Sequence, residues 1–118
     1  MKKTLFGATI LAVCLFASSR VAFAHAVLVS STPKNHGTVH GPAIDIDLKY
    51  NSRVDGTRSS LSLVLPGGAV QALSLLKQET PNELTARTKL APGKYSLRWQ
   101  ALAVDGHITR GEVPFTVE

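Results

Sequence analysis

Downstream of residue 24, polar and apolar residues alternate with a period of two, and no segment carries the three-to-four-residue spacing of an amphipathic helix. From Ala43 to Asn51 the alternation is strict. Ile44, Ile46, Leu48 and Tyr50 fall on one face and Asp45, Asp47 and Lys49 on the other, which predicts a half-buried strand with one wet face. Residues 26–30 form a short β-rich run stopped by Ser31-Thr32-Pro33. Residues 34–42 hold Asn35, Gly37, Gly41 and Pro42 and read as a loop. The runs 60–65 and 69–75 flank Pro66-Gly67-Gly68, a hairpin connection, and 83–89 gives another strand with Leu84 and Ala86 inward.

The last third carries the clearest pattern. Pro92-Gly93 leads into a strand in which Tyr95, Leu97, Trp99 and Ala101 form the inward stripe, and Val113, Phe115 and Val117 alternate with Glu112, Pro114 and Thr116 in the final strand. A Tyr at the start of a strand behind a Pro-Gly turn resembles the tyrosine corner of immunoglobulin-like sandwiches. Pro114 has no N–H for a ladder, which places its strand at a sheet edge or that position facing out. About seven short strands joined by Gly/Pro turns make an all-β chain, an antiparallel β-sandwich. There is no repeat or linker, so 25–118 is one domain.

The first 24 residues are of another kind. Lys2 and Lys3 precede an apolar run over 5–17, and Ala22-Phe23-Ala24 supplies the small residues of a cleavage site. This is the pattern of a secretory signal peptide, 1–24, cut after Ala24. The run is shorter than the roughly 20 apolar residues of a spanning helix, so no membrane insertion of the mature chain is expected. Removal takes away Cys14 and Met1, the chain's one cysteine and one methionine, and so excludes disulfides and thiolate or thioether metal sites from the remainder.

The split also changes the charge. The whole chain of 118 residues carries +5, but Lys2, Lys3 and Arg20 lie in the leader. Ten basic and eight acidic residues remain, a near-neutral balance that removes the main support for nucleic-acid binding. The length excludes a two-domain enzyme with a large cleft.

Candidate chemistry rests on His25, His36, His40 and His107. Cleavage after Ala24 makes His25 the N-terminal residue, whose α-amine and imidazole can chelate one metal ion through a six-membered ring. The amine titrates near about 7.7–8.0, so its deprotonation costs little at neutral pH. Cu(II) favours such tetragonal N,O ligation. In Asp105-Gly106-His107 the two side chains at i and i+2 point to one side of an extended segment, and Gly106 gives them room to converge. Together these would make an N3O set, provided that the first strand lies beside the loop before the last. His36 and His40 have a helical i, i+4 spacing, but Gly37, Gly41 and Pro42 argue against a helix and make them solvated loop residues. Trp99 and Tyr95 are expected in the core.

His25-Ala-Val-Leu-Val-Ser-Ser-Thr-Pro33, Pro92-Gly-Lys-Tyr-Ser-Leu-Arg-Trp99, Asp105-Gly-His107, Gly111 and Phe115-Thr-Val117, in that order behind a signal sequence, resemble the CopC-like periplasmic copper-binding proteins. The resemblance covers 25–118. It implies a Greek-key immunoglobulin-like β-sandwich or barrel, Cu(II) held by His25, Asp105 and His107, a periplasmic location, and an inner-membrane copper transport protein as partner. Three departures stand out. The methionine-rich Cu(I) stretch of some members is absent, Tyr50-Asn51-Ser52 replaces their acidic Phe-Ser-Glu, and Ile108 replaces the proline after the D-x-H histidine.

Two other functions compete with copper carriage. One is a small copper monooxygenase, since enzymes on polysaccharides also begin with a copper-binding histidine. Against it stand the 94 residues left after cleavage and Asp105 in a position that O2 chemistry needs open. The other is a structural immunoglobulin-like envelope module, for which replacing His25 or His107 changes nothing beyond local packing.

Overall fold

The computed structural model describes residues 25–118; the signal peptide read over 1–24 lies outside them. Eight strands follow in order: β1 (Leu28–Thr32), β2 (Gly37–Val39), β3 (Ala43–Tyr50), β4 (Ser60–Val64), β5 (Val70–Leu73), β6 (Glu83–Lys89), β7 (Gly93–Leu102) and β8 (Ile108–Val117). They form two sheets, β1-β3-β6 and β2-β8-β7-β4-β5. The chain crosses between sheets at every connection except β4–β5 and β7–β8, and after the excursion through β6 strand β7 returns beside β4, as in a Greek-key sandwich.

The period-two pattern decides which face each strand buries. Ile44, Ile46, Leu48 and Tyr50 of β3 are buried, as are Leu84 and Ala86 of β6, Leu97 and Ala101 of β7, and Val113, Phe115 and Val117 of β8. Each such aliphatic side chain contributes roughly 1.5–3 kcal/mol by leaving water. The tyrosine corner is present: the Tyr95 hydroxyl donates to the Ala91 carbonyl at 2.8 Å and its ring stacks on Phe115, centroids 5.8 Å apart.

Four details differ from the sequence reading. There are eight strands rather than about seven, because the 34–42 stretch contains β2. This strand is short and runs parallel to β8, so the sandwich is not wholly antiparallel. Its cue is conformational: His36 adopts a φ of 58° and its N–H donates to the Pro114 carbonyl at 2.7 Å, turning the chain onto β8. Consequently β8 is an interior strand, not an edge. Pro114 is tolerated because the ladder with β2 starts only at Phe115, and its ring faces outward between Val113 and Phe115. Finally, Trp99 is half-buried rather than fully in the core. Its indole lies over Gly111, its partner in the β7–β8 register, and edge-on to Tyr50 at 5.3 Å.

The β3–β4 connection braces the hairpin loop between β7 and β8. Val54 bridges Ala103, the Asp55 N–H donates to the Leu102 carbonyl at 2.8 Å, and the buried Ser59 hydroxyl accepts the Leu102 N–H at 3.0 Å. Asp55 holds its own turn. Its carboxylate accepts from the Arg58 and Thr57 N–H groups, the Thr57 hydroxyl and the Arg58 guanidinium. These bonds, the Arg58 N–H foremost, hold the Asp55 carboxyl well below the usual carboxylate range.

Two predictions follow from this frame. A Cβ at Gly111 would lie 2.5 Å from the Trp99 ring, so Gly111→Ala is expected to cost about 1–3 kcal/mol in urea unfolding. Most of that loss should disappear when Trp99 is also Leu, read as a double-mutant cycle. For Asp55 the folded-state pKa is depressed, so its stabilisation is present above the unfolded value near about 3.9 and is lost as pH falls towards the folded one. Asp55→Asn should therefore lower the melting temperature at pH 7, and the gap to the unsubstituted protein should close below pH 4.

Candidate metal centre

Only one residue, Gly106, separates Asp105 from His107, and the loop that carries them is tightly closed. The Gly106 N–H donates to the Ala103 carbonyl at 3.0 Å and the Ala103 N–H to the His107 carbonyl at 2.9 Å. Gly106 takes a φ of 86°, the left-handed region that a side chain disfavours. The Asp105 carboxylate then turns back on the loop. Oδ1 accepts the His107 N–H at 3.0 Å, and Oδ2 lies 2.8 Å from His107 Nδ1. Paired with a carboxylate in this way, Nδ1 carries the proton and Nε2 is left as the basic nitrogen, the one that could take a metal ion. The His107 N–H, then its imidazole and that of His25, hold the Asp105 carboxyl below the usual carboxylate range against an opposing effect of burial. Asp105 is thus an anion that sets the tautomer and direction of His107.

His25 comes from the other end of the chain. The next residue, Ala26, is only 1% exposed, packed into the core as an apolar plug. Its carbonyl accepts the Thr109 hydroxyl at 2.9 Å, one residue past Ile108 at the start of β8. Val27 is clasped by Asn51: the Val27 N–H donates to Asn51 Oδ1 at 2.8 Å and the Asn51 N–H to the Val27 carbonyl at 2.9 Å. With two backbone residues fixed, the half-buried imidazole of His25 comes to lie 4.5 Å from that of His107, centroid to centroid, at 57°. Donor atoms of His25, Asp105 and His107 all lie within 4.8 Å of one another.

That spacing suits a metal ion. With metal–nitrogen bonds of about 2.0 Å, two donors on one ion lie about 3 Å apart when adjacent and about 4 Å when opposite, so the three side chains are within a small rearrangement of holding one ion together. The three residues singled out in the sequence are therefore brought together, by the segment ahead of β1 rather than by the strand itself, which pairs with β3. His36 and His40 are exposed at the two ends of β2 and join no metal-type group among the described residues. Sequence reasoning missed Thr109 and Asn51. Both are ordinary strand-end polar residues, and the Thr109–Ala26 bond spans 83 positions, so no local pattern marks it. The nearest cue was that Asn51 stands in the Tyr50-Asn51-Ser52 segment, one of the departures from the family pattern that the resemblance implies.

Residues 28–118 match the CopC domain family model. The copper resistance protein C of Xanthomonas campestris pv. juglandis is 28% identical over 119 residues, covering 93% of each chain. The copper transport protein CutJ of Bacillus subtilis is 23% identical over 102 residues, which are 83% of this chain but only 19% of that protein. Among solved structures, CopC of Methylosinus trichosporium OB3b superposes with a TM-score of 0.71 at 30% identity, covering 80% of this chain and 94% of that one. PcoC of Escherichia coli, a methionine-rich copper resistance protein, shares the fold with a TM-score of 0.69 at 24% identity, covering 80% and 100%. These relatives are named for copper resistance and transport rather than for an enzymatic activity. The match over the whole β-sandwich establishes that the chain is a member of the CopC family of copper resistance proteins.

Proposed function

We propose that the chain, once cut after Ala24, is a periplasmic protein that binds Cu(II) at His25, Asp105 and His107 and sequesters it or passes it on. The observation that carries this reading is the convergence of His25 on the Asp105–His107 pair, from opposite ends of the domain, within 4.8 Å. Cleavage after Ala24 would turn the His25 nitrogen into an α-amine, a third nitrogen for the ion. His107 Nε2 and the lone pairs that Asp105 does not direct at His107 complete an N3O set.

The donor chemistry selects the oxidation state. Imidazole, amine and carboxylate suit Cu(II), whereas Cu(I) favours thiolate and thioether, and residues 25–118 contain neither Cys nor Met. The role is carriage rather than catalysis, in keeping with relatives that are named for copper resistance and copper transport. A segment similar to this chain makes up about a fifth of a longer protein named for copper transport. The same sandwich joined to a transport protein in one case and separate in another supports an inner-membrane copper transport protein as its partner.

Competitive Cu(II) titration against a chelator tests the reading. Protein starting at His25 should take up one ion tightly. A variant with one extra residue ahead of His25 should bind no better than His25→Ala; equal binding by all three would refute the chelate. Asp105→Ala, which frees the His107 ring, should weaken binding by about 10–100-fold. Thr109→Val removes one hydrogen bond holding the Ala26 carbonyl. It should leave the fold intact, as judged by far-UV circular dichroism, and weaken Cu(II) binding by about two- to tenfold.

A further inference from the structure

A groove of about 420 Å³ adjoins the metal loop, lined among others by Arg53, Arg58, Pro81, Leu102, Val104 and Gly106. The loop therefore has two sides: Asp105 and His107 turn to His25, while the residues flanking Asp105 wall this groove. The floor is apolar and held still by the Val54–Ala103 bridge and the Asp55 N–H bond to Leu102. Its rim is mixed but net cationic, with Arg53 and Arg58 against the one carboxylate of Asp55. Arg58 meets Asp55 through Nε at 3.1 Å and is otherwise open, with its side chain 77% exposed. Arg53 is exposed, and no carboxylate among the described residues pairs with it.

Apolar residues surround the same end of the molecule. Val104 is 68% exposed, Val27 53% and Ile108 47%, and each is within two residues of a candidate ligand. Large aliphatic side chains left in water around a functional loop mark a surface that another molecule covers. The groove selects what covers it through Arg53, which no carboxylate among the described residues pairs with and which an incoming carboxylate satisfies, and through Val104, which an aliphatic neighbour covers.

We propose that this groove docks an acidic segment with apolar flanks, belonging to the protein that exchanges the metal ion with this one. The inference rests on the metal-binding reading above. A segment seated there touches Val104 and Gly106, on either side of Asp105, so docking holds the partner against the loop that carries Asp105 and His107. Charge on the rim sets the encounter rate and the choice of partner, and the apolar collar sets how long the complex lasts.

The probe is a pair of capped pentapeptides, Asp-Leu-Glu-Leu-Asp and Lys-Leu-Lys-Leu-Lys, titrated into 15N-labelled protein starting at His25. The acidic peptide should shift the amides of Val54 and of residues 102–106 and lose affinity as salt rises, while the basic peptide should not shift them. Arg53→Glu should weaken the acidic peptide by about tenfold, the order expected when a solvent-screened attraction becomes a repulsion. Val104→Asp should weaken it similarly. Equal response to both peptides, or none in this region, overturns the proposal. So does concentration-dependent shifting of these amides without peptide, which assigns the groove to a second copy of the chain. Cu(II) titration of Arg53→Glu separates the two readings. Unchanged Cu(II) affinity with lost peptide binding is the expected result, and lost Cu(II) affinity would show that Arg53 serves the metal loop instead. If no variant or parent protein binds Cu(II), the metal reading fails independently of the groove.

Discussion

The burial of Ala26 is the constraint from which the site follows. A methyl group 1% exposed in the core, with its carbonyl held by Thr109, leaves the preceding residue no choice of place. Were the segment before β1 free, His25 would sample a large volume and meet His107 rarely. Fixing its backbone costs roughly 1–2 kcal/mol per residue in conformational entropy. That cost is met during folding, by the core and the Asn51 clasp, rather than at the moment of binding. The histidine is small work for a metal ion to capture because the sandwich has already brought it there.

The opposing ligands are prepared by different means. Asp105 and His107 sit on a hairpin loop, ordinarily the more mobile part of a sandwich. Here the loop is bonded across itself, and the β3–β4 connection bonds to its base through Val54, Asp55 and Ser59. The carboxylate of Asp105 fixes the imidazole of His107 in a further, smaller closure. Each level orients the next: sheet, loop, carboxylate, imidazole. The result stays at the surface, with His107 exposed and His25 half-buried. Such a site suits an ion that is handed on rather than kept for life, since a ligand from outside can reach the metal.

The strands were largely legible because their information is local. In β3, β6 and β7 every second residue enters the core, and the buried set is the one that alternation marks. Residues 37–39 gave no such sign: three residues, one of them glycine, bonded to a strand nearly eighty positions away, are defined by their neighbour and not by their own composition. The interior place of β8 was hidden for the same reason, since Pro114 advertises an edge and only the late start of β2 reconciles it. Trp99 was misjudged because its environment depends on the absence of a side chain at Gly111 across the ladder. At the candidate site, the residues that converge were legible because His25 at the expected cleavage boundary and the Asp105–His107 pair are each short-range signals. The residues that position them were not, because Thr109 and Asn51 matter only through contacts that folding creates.

At the proposed site one Cu(II) ion is held at once by both ends of the domain. Electron paramagnetic resonance of protein starting at His25, loaded with less than one equivalent of Cu(II) and labelled with 15N in histidine alone, tests this most directly. The account predicts a tetragonal signal whose nitrogen couplings change on labelling in both the parent and His107→Gln, with one fewer coupled histidine in the variant. Couplings identical in the two proteins would show that His107 does not touch the ion, and the convergence of the two ends would then have no part in binding it.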